Sequence, residues 1–337
     1  MNPEKIDSSR LNAELIARHA VLSDLIGERP FHYVDLPMHG NIGDLLIMQG
    51  TLAFFKKYKL RPRSISSMYE FDTEQIAAGE VVVFQGGGNF GDLYAYPHTL
   101  REQVAAARPG NRIIILPQSI HFSSADRAAE SAALFRGHPD LHLCVRDRVS
   151  FEQAKAFTDK VYLLPDMAHQ LYPIQGASRR PGRGAMVVAR LDEEKAEHGM
   201  FSNVQVRTHI DWPQFVGKRE RRINSFRRVV RVMARLGMGR LAGRLMSPLW
   251  IRYANGLVEE VIRLFAMHEL IITDRLHAHI LAVLMDMPTH VLDNSYGKNS
   301  RYAAMWTARC RLVTMLAPPT RLPGPASLGQ EEVQELI

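Results

Sequence analysis

The stretch EVVVFQGGGNFGD, residues 80–92, decides the fold. Three valines and a phenylalanine in succession carry no alternation of polar and apolar residues, which is the mark of a strand buried on both faces. Glycine-rich turn chemistry follows at once, and residues 97–107 then read as a helix. The same order recurs on both sides of this stretch. FHYVDL (31–36) precedes a helix at 44–58, and RIIILPQ (112–118) precedes one at 125–135. LHLCVR (141–146), a helix at 149–157 and KVYLLPD (160–166) complete the series. Short Val, Ile and Leu runs alternating with helices predict a parallel sheet covered on both faces, a Rossmann-like arrangement.

After Asp166 the pattern lapses into YPIQGASRRPGRG (172–184), rich in Pro, Gly and Arg, which reads as a linker. A second alternating unit follows, with strands at 185–191, 269–273 and 289–293 and helices at 254–267 and 275–287. The expected architecture is α/β, with two Rossmann-like lobes, residues 1–175 and 176–337, each built on a parallel sheet. A deep cleft between them would be lined by loops at the carboxyl ends of the strands, where small molecules bind in such folds.

With 46% apolar residues in 337, the chain has enough material for such cores. No run of 18 apolar residues occurs, and MNPEKIDSSR lacks a signal-peptide core, so the expectation is a cytoplasmic protein. Cys144 and Cys310 fit neither a disulfide framework nor a metal-binding CxxC, and Cys144 reads as a buried thiol. The formal charge of +7 is local: residues 217–252 hold eleven Arg or Lys against Glu220 alone, leaving −3 for the rest of the chain. Apolar residues at helical spacing among those arginines make a basic amphipathic segment. Such a segment lies on an anionic membrane surface, packs as a solvated helix on its own domain, or forms a groove for an acidic ligand. No nucleic-acid motif accompanies it, so nucleic acid is not an expected partner.

The loops carry the chemistry. Gly40-Asn41-Ile42-Gly43-Asp44 follows the first strand, and Gly88-Asn89-Phe90-Gly91-Asp92 follows the second after Gly86 and Gly87. Glycine allows close approach of the backbone to a ligand, Asn tolerates left-handed geometry, and Asp caps a following helix. Asn41, Asp44, Gly87, Gly88, Asn89 and Asp92 are therefore candidates for a binding loop, with tight capped turns as the plain alternative. Neither copy matches a P-loop or a dinucleotide fingerprint. Arg146 and Arg148 flank Asp147 after the Cys144 strand. An arginine there either clamps an anion in a fork or pairs with an acid such as Asp166. His121, a lone loop histidine, reads as structural.

The stretch TDRLHAHI (273–280) ends a strand and begins a helix, so Arg275 and His277 sit at the positive end of that helix. Asp274 reads as its cap and His279, one residue deeper, as a core or supporting histidine. No cluster has metal-ligand spacing, and no cofactor is implied.

GNIGD, QGGGNFGD, the PQS, VRD and LLPD loops, TDRLHAHILAV and DNSYGKNSRY, in this order, resemble the polysaccharide pyruvyl transferase family over about residues 30–302. The resemblance implies a two-lobed architecture similar to GT-B glycosyltransferases. It further implies transfer of pyruvate from phosphoenolpyruvate onto two hydroxyls of a sugar as a ketal, in bacterial exopolysaccharide or cell-wall polymer assembly. On that resemblance Arg146 and Arg275 match donor-binding positions, with Arg148 as a further cation, and His277 matches the histidine that binds phosphate and assists catalysis. Asn41, Asp44, Asn89 and Asp92 would then face the acceptor. Such an acceptor, if it is a lipid-linked oligosaccharide, suits a protein held peripherally at the inner membrane face by residues 217–252. A nucleotide-sugar glycosyltransferase and a noncatalytic glycan-assembly factor are the rival readings.

Overall fold

The computed structural model describes residues 4–174, 183–189, 206–293 and 297–316. Its strands form two sheets. The first contains β1 (Phe31–Val34), β2 (Ser64–Ser66), β3 (Val81–Phe84), β4 (Gly87–Gly91), β5 (Arg112–His121), β6 (Leu141–Val145) and β7 (Val161–Leu163). Their order is β2-β1-β3-β5-β6-β7, with β4 paired to β5. The second contains β8 (Ala185–Val188), β9 (Val206–Ile210), β10 (Leu270–Thr273), β11 (Thr289–Val291) and β12 (Val313–Met315), in the order β12-β11-β10-β8-β9. Among the described residues every pairing within these sheets is parallel. The expected α/β architecture with two Rossmann-like lobes is the observed one.

The lack of alternation in β3 has its reason in the packing. Val81 and Val83 enter one apolar core and Val82 and Phe84 the other, on opposite faces of the first sheet. Ile114 and Leu116 of β5 divide from Ile113 and Ile115 in the same way. Each such side chain, fully buried, contributes about 1.5–3 kcal/mol relative to exposure.

The first of these cores continues into the second sheet. It includes Leu45 and Ile47 of helix Ile42–Lys57, Met167, Ile280 and Leu284 of helix Leu276–Leu284, and Met186, Val188 and Ile271. The two sheets are thus joined through buried helices. The boundary expected at 175/176 and most of the expected linker lie outside the described residues.

Two local expectations are corrected. The second GNxGD run is no loop: Gly87–Gly91 is itself a strand beside β5. Its register requires glycine, because a Cβ on Gly91 would sit 1.7 Å from the His121 carbonyl oxygen, at φ +121. The expected helix at 254–267 begins far earlier, as Gly239–Ala266, running through Pro248.

That longer helix pairs with Glu220–Arg235, so the basic segment is a helical hairpin. Phe226 stacks on Tyr253 and meets Trp250 edge-on. The hairpin is fastened to the first sheet: Trp250 Nε1 donates to the Pro37 carbonyl at 2.9 Å and Ser247 Oγ to the Ile65 carbonyl at 2.9 Å. A Cβ on Gly40 would meet Val216, which shows how closely the loop after β1 is covered.

Candidate active site

A cavity of about 910 Å³ is lined from both sheets and the hairpin. The first sheet brings Asp35, His39, Asn41, Asp44, Gly88, Asn89 and Arg146 to it; the second brings Arg275 and His277. Apart from Gly88 and Asn89, which lie within β4, these residues stand at the carboxyl ends of parallel strands, in the turns after them or in the first turn of the next helix, where a doubly wound sheet leaves a crevice.

Asp166 joins the two halves. Its Oδ2 accepts a hydrogen bond from Arg146 Nη1 at 2.5 Å and lies 3.3 Å from His277 Nε2. Its Oδ1 accepts from the Ala168 amide at 2.9 Å, and its own amide donates to Tyr302 Oη at 3.1 Å. Burial by itself would raise this carboxyl. The charge and hydrogen bond of His277 and the charge of Arg146 outweigh it, holding Asp166 well below the usual carboxylate range. Arg146 pairs with Asp166, the second of its two expected roles, and its side chain also lines the cavity. Its Nε donates to Ser119 Oγ at 3.0 Å, and Trp306 Nε1 donates to its carbonyl at 2.8 Å. A buried guanidinium so held has little freedom left to lose when an anion binds.

Arg275 ends in a fork on Asp211, Nε to Oδ1 at 2.8 Å and Nη2 to Oδ2 at 2.6 Å. Asp211 is the N-cap of helix Trp212–Val216, closed by Gln214 in a capping box. Arg275 itself is the N-cap of helix Leu276–Leu284, and Thr273 Oγ1 accepts its amide at 2.8 Å. Asp274, expected as that cap, is one residue too early, so its side chain is turned into the interior and buried. His277 occupies the space left by Gly43, whose added Cβ would lie 2.4 Å from His277 Nδ1. His279 is buried and bonded to Thr307 Oγ1 at 2.7 Å, the supporting role read from the sequence.

Asn41, not Asp44, caps the helix after β1, accepting the Gly43 amide at 3.0 Å. Asn41 Nδ2 in turn donates to Asp44 Oδ2 at 2.8 Å, which leaves Asp44 at the cavity wall. Asn89 is fixed by its neighbours: Arg101 Nη2 donates to its Oδ1 at 2.9 Å and its Nδ2 donates to Asp35 Oδ2 at 3.3 Å. A Cβ on Gly88 would stand 3.4 Å from Arg146 Nη2, so the strand passes close over the guanidinium. Gly87, at φ +141, lies behind the lining, facing Asp44.

Two further candidates fall outside the lining. Asp92 does not line the cavity; its carboxylate accepts the Ser123 amide at 2.8 and 3.0 Å and the Ser123 hydroxyl, because β4 ends there and turns away. Arg148 is exposed as the first residue of helix Arg148–Ala154, whose cap Asp147 directs the turn outward, and it too is absent from the lining. His121 ends β5 away from the cavity.

Three acids escaped the reading of the sequence as site residues in their own right: Asp35, Asp166 and Asp211. Asp35 had a local signal, an acid at the carboxyl end of β1. It lies at φ +69, unusual for a residue with a side chain. Burial raises its carboxyl above the usual range against the opposing charges of Arg101 and His39. Asp211 had the signal of a cap before Trp-Pro, and nothing local pointed it at Arg275.

Fold and cavity together define an α/β protein with two parallel sheets and a cavity in which guanidinium groups and an imidazole stand beside carboxylates. The family model for polysaccharide pyruvyl transferase matches residues 41–296, and the chain belongs to that family, a family of transferases. It is 36% identical over 277 residues to "Putative pyruvyl transferase EpsO" of Bacillus subtilis (strain 168), covering 81% of this chain and 84% of that one. "Pyruvyl transferase 1" of Schizosaccharomyces pombe is 29% identical over 237 residues, 68% of this chain and 56% of that one. A crystal structure of a functionally uncharacterized Klebsiella pneumoniae protein superposes with TM-score 0.62 at 19% identity, covering 90% of this chain and 98% of that one, a likeness of fold.

Proposed function

We propose that the protein transfers pyruvate from phosphoenolpyruvate onto two hydroxyls of a sugar as a ketal, in bacterial exopolysaccharide biosynthesis. The observation that carries this reading is the convergence of Arg146, Arg275 and His277 on one cavity that also holds Asp35, Asp44 and Asn89. Phosphoenolpyruvate bears a phosphate and a carboxylate on three carbons, so its site needs fixed cations, which two anchored guanidinium groups supply. Arg146 comes from the first sheet and Arg275 from the second, so the donor would be held by both lobes. The acceptor would lie toward the first, where Asn41, Asp44 and Asn89 stand.

The reaction then runs through the side chains present. A proton added to the methylene carbon makes the adjacent carbon electrophilic, and one sugar hydroxyl attacks it. Phosphate departs with the C–O bond pair, and the second hydroxyl closes the ketal. Of the two protons given up by the hydroxyls, one balances that added to carbon and the other leaves with phosphate or on a base. His277, steadied by Asp166, is the acid beside the phosphate. Asp35, raised by burial, and Asp44 are the carboxylates suited to accept a hydroxyl proton. No cofactor is required beyond the co-substrate.

The acceptor in this reading is a lipid-linked oligosaccharide, met at the cytoplasmic face of the membrane, with residues 217–252 on the anionic surface. The test is phosphate release by the full chain supplied with phosphoenolpyruvate and a diol-bearing glycan. Release that requires both supports the transfer. Its absence with every suitable glycan, together with turnover of a nucleotide sugar, would replace it with glycosyl transfer. An intact pathway in cells carrying His277→Ala would instead favour a noncatalytic role.

A further inference from the structure

The basic hairpin presents an apolar ridge to solvent where a helix packed only on its own domain would present charge. Leu236 is 66% exposed, Leu249 55% and Leu245 51%, with Val229, Val232 and Leu241 also exposed. In helix Glu220–Arg235 and its cap, Val229, Val232 and Leu236 follow one another at helical spacing. Arg221, Arg228 and Arg235, each seven residues from the next and all exposed, form a row beside them. In helix Gly239–Ala266, Leu241, Leu245 and Leu249 recur every four residues beside exposed Arg240 and Arg244.

Each ridge borders the groove between the two helices: Val229 stands two helical turns from Arg222 along the same side, and Leu249 lines the groove itself. Arg222 and Phe226 from the first helix and Leu249 and Arg252 from the second line a common groove, with Lys218 at its end. Leu249 belongs to both the groove and the ridge. Arg219 in this groove is paired with Glu260. Among the described residues Lys218 and Arg252 have no acidic partner.

We propose that this face docks in the plane of an anionic phospholipid membrane, aliphatic side chains entering the acyl boundary and the exposed arginine row together with the groove cations taking headgroup phosphates. The proposal rests on the membrane-surface reading above and deepens it by assigning the face. Charge complementarity selects the occupant. A second copy of the chain would set two basic surfaces against each other, and a nucleic acid would leave the leucines unused, whereas an anionic bilayer uses both. Among the described residues no helix is long and apolar enough to cross a membrane, in keeping with in-plane docking.

The same helix has a second task. Glu220 and Arg227, seven residues apart and bonded to each other at 2.6 Å, line the cavity. On a helical wheel they fall nearly opposite Val229 and Leu236. A docked hairpin therefore holds the cavity about one helix diameter, 10–12 Å, from the lipid surface. A sugar carried on a lipid phosphate would reach it without leaving the membrane.

The experiment is co-sedimentation of the full chain with phosphatidylcholine vesicles and with vesicles that also contain phosphatidylglycerol. The wild type is expected to bind the anionic vesicles, less so as salt rises. The triple substitution L236E/L245E/L249E should weaken that binding at least about tenfold, and R221Q/R228Q/R235Q should erase the preference for anionic over neutral lipid. In both variants the melting temperature and the release of phosphate with a water-soluble acceptor should stay at wild-type values. A wild type that leaves anionic vesicles in the supernatant overturns the proposal. So does a leucine variant that binds as wild type, or one whose only change is loss of a dimer in sedimentation velocity. Vesicle binding without phosphate release would leave this face assigned and remove the transfer reaction instead.

Discussion

Asp166 and His277 stand 111 positions apart in the chain and 3.3 Å apart in space, on a buried carboxylate that also holds Arg146. The carboxylate orients the two groups assigned to the donor phosphate while lying beneath them, itself 1% exposed.

Asp166→Asn retains the shape and removes the charge. Arg146 is then a buried cation without its counterion, which costs about 3–5 kcal/mol. His277 loses its orienting partner, and kcat should fall about 10²-fold or more. Denaturant unfolding and steady-state phosphate release measure the two effects separately.

Arg275→Lys breaks the fork on Asp211, because a single ammonium cannot meet both carboxylate oxygens at once. The expected outcome is a KM for phosphoenolpyruvate raised about tenfold or more with a smaller change in kcat. Asp211→Asn should move KM in the same direction, since it frees the guanidinium. An unchanged KM in both variants would remove Arg275 from donor binding.

Gly43→Ala adds a methyl group where His277 stands, 2.4 Å from Nδ1. The imidazole must shift, and a displacement of this size costs about 10²-fold in rate. The helical backbone itself accepts alanine, so the chain should remain folded by circular dichroism. Wild-type kcat in this variant would mean that His277 is not held where the chemistry requires it.

Arg148→Ala and Asp92→Ala should leave kcat and both KM values within about twofold of wild type, because surface changes away from a site are close to neutral. Asp92→Ala should lower the melting temperature slightly through loss of the Ser123 hydrogen bonds. A large KM effect in either would place the acceptor outside the cavity described.

Stability should fall in mild acid. Burial lowers His19 from 6.5 to about 4, and His98, His169 and His279 from 6.5 to about 3. Each is neutral when folded and takes up a proton more readily when unfolded. The stability they contribute is therefore complete above about pH 6.5 and is lost as the pH falls toward their folded values. Asp166, held low, keeps its contribution above the ordinary carboxylate range and loses it only in stronger acid. Unfolding free energies from denaturant titrations at about pH 7 and about pH 5 should differ by on the order of a few kcal/mol. His98→Gln should flatten part of that slope.

Much of the fold was legible in local pattern. Runs such as Val81 to Phe84 and Ile113 to Leu116 mark strands buried on two faces, and helices capped by Asn41, Ser124 and Asp147 follow the first, fifth and sixth strands. The strand Gly87–Gly91 was not legible, because glycine and asparagine carry turn chemistry and only the neighbouring edge of β5 draws them into extension. The hairpin was read in part. Its charge and apolar spacing are in the sequence, but its attachment through Trp250 to the Pro37 carbonyl depends on the loop after β1.

The sequence by itself determined the parallel sheets, the helix starts that carry Arg275 and His277, and the concentration of charge at 217–252, since each follows from the spacing of neighbouring residues. Only the tertiary structure decided which of those residues meet. Asp166 reaches His277, and Asp211 reaches Arg275, through the packing of helices on a shared core, and Asp92 and Arg148 are turned away by the direction in which their strand or helix runs. Spacing along a chain fixes periodicity. Convergence in space depends on how the buried faces of separate elements fit together, and no short stretch contains that information.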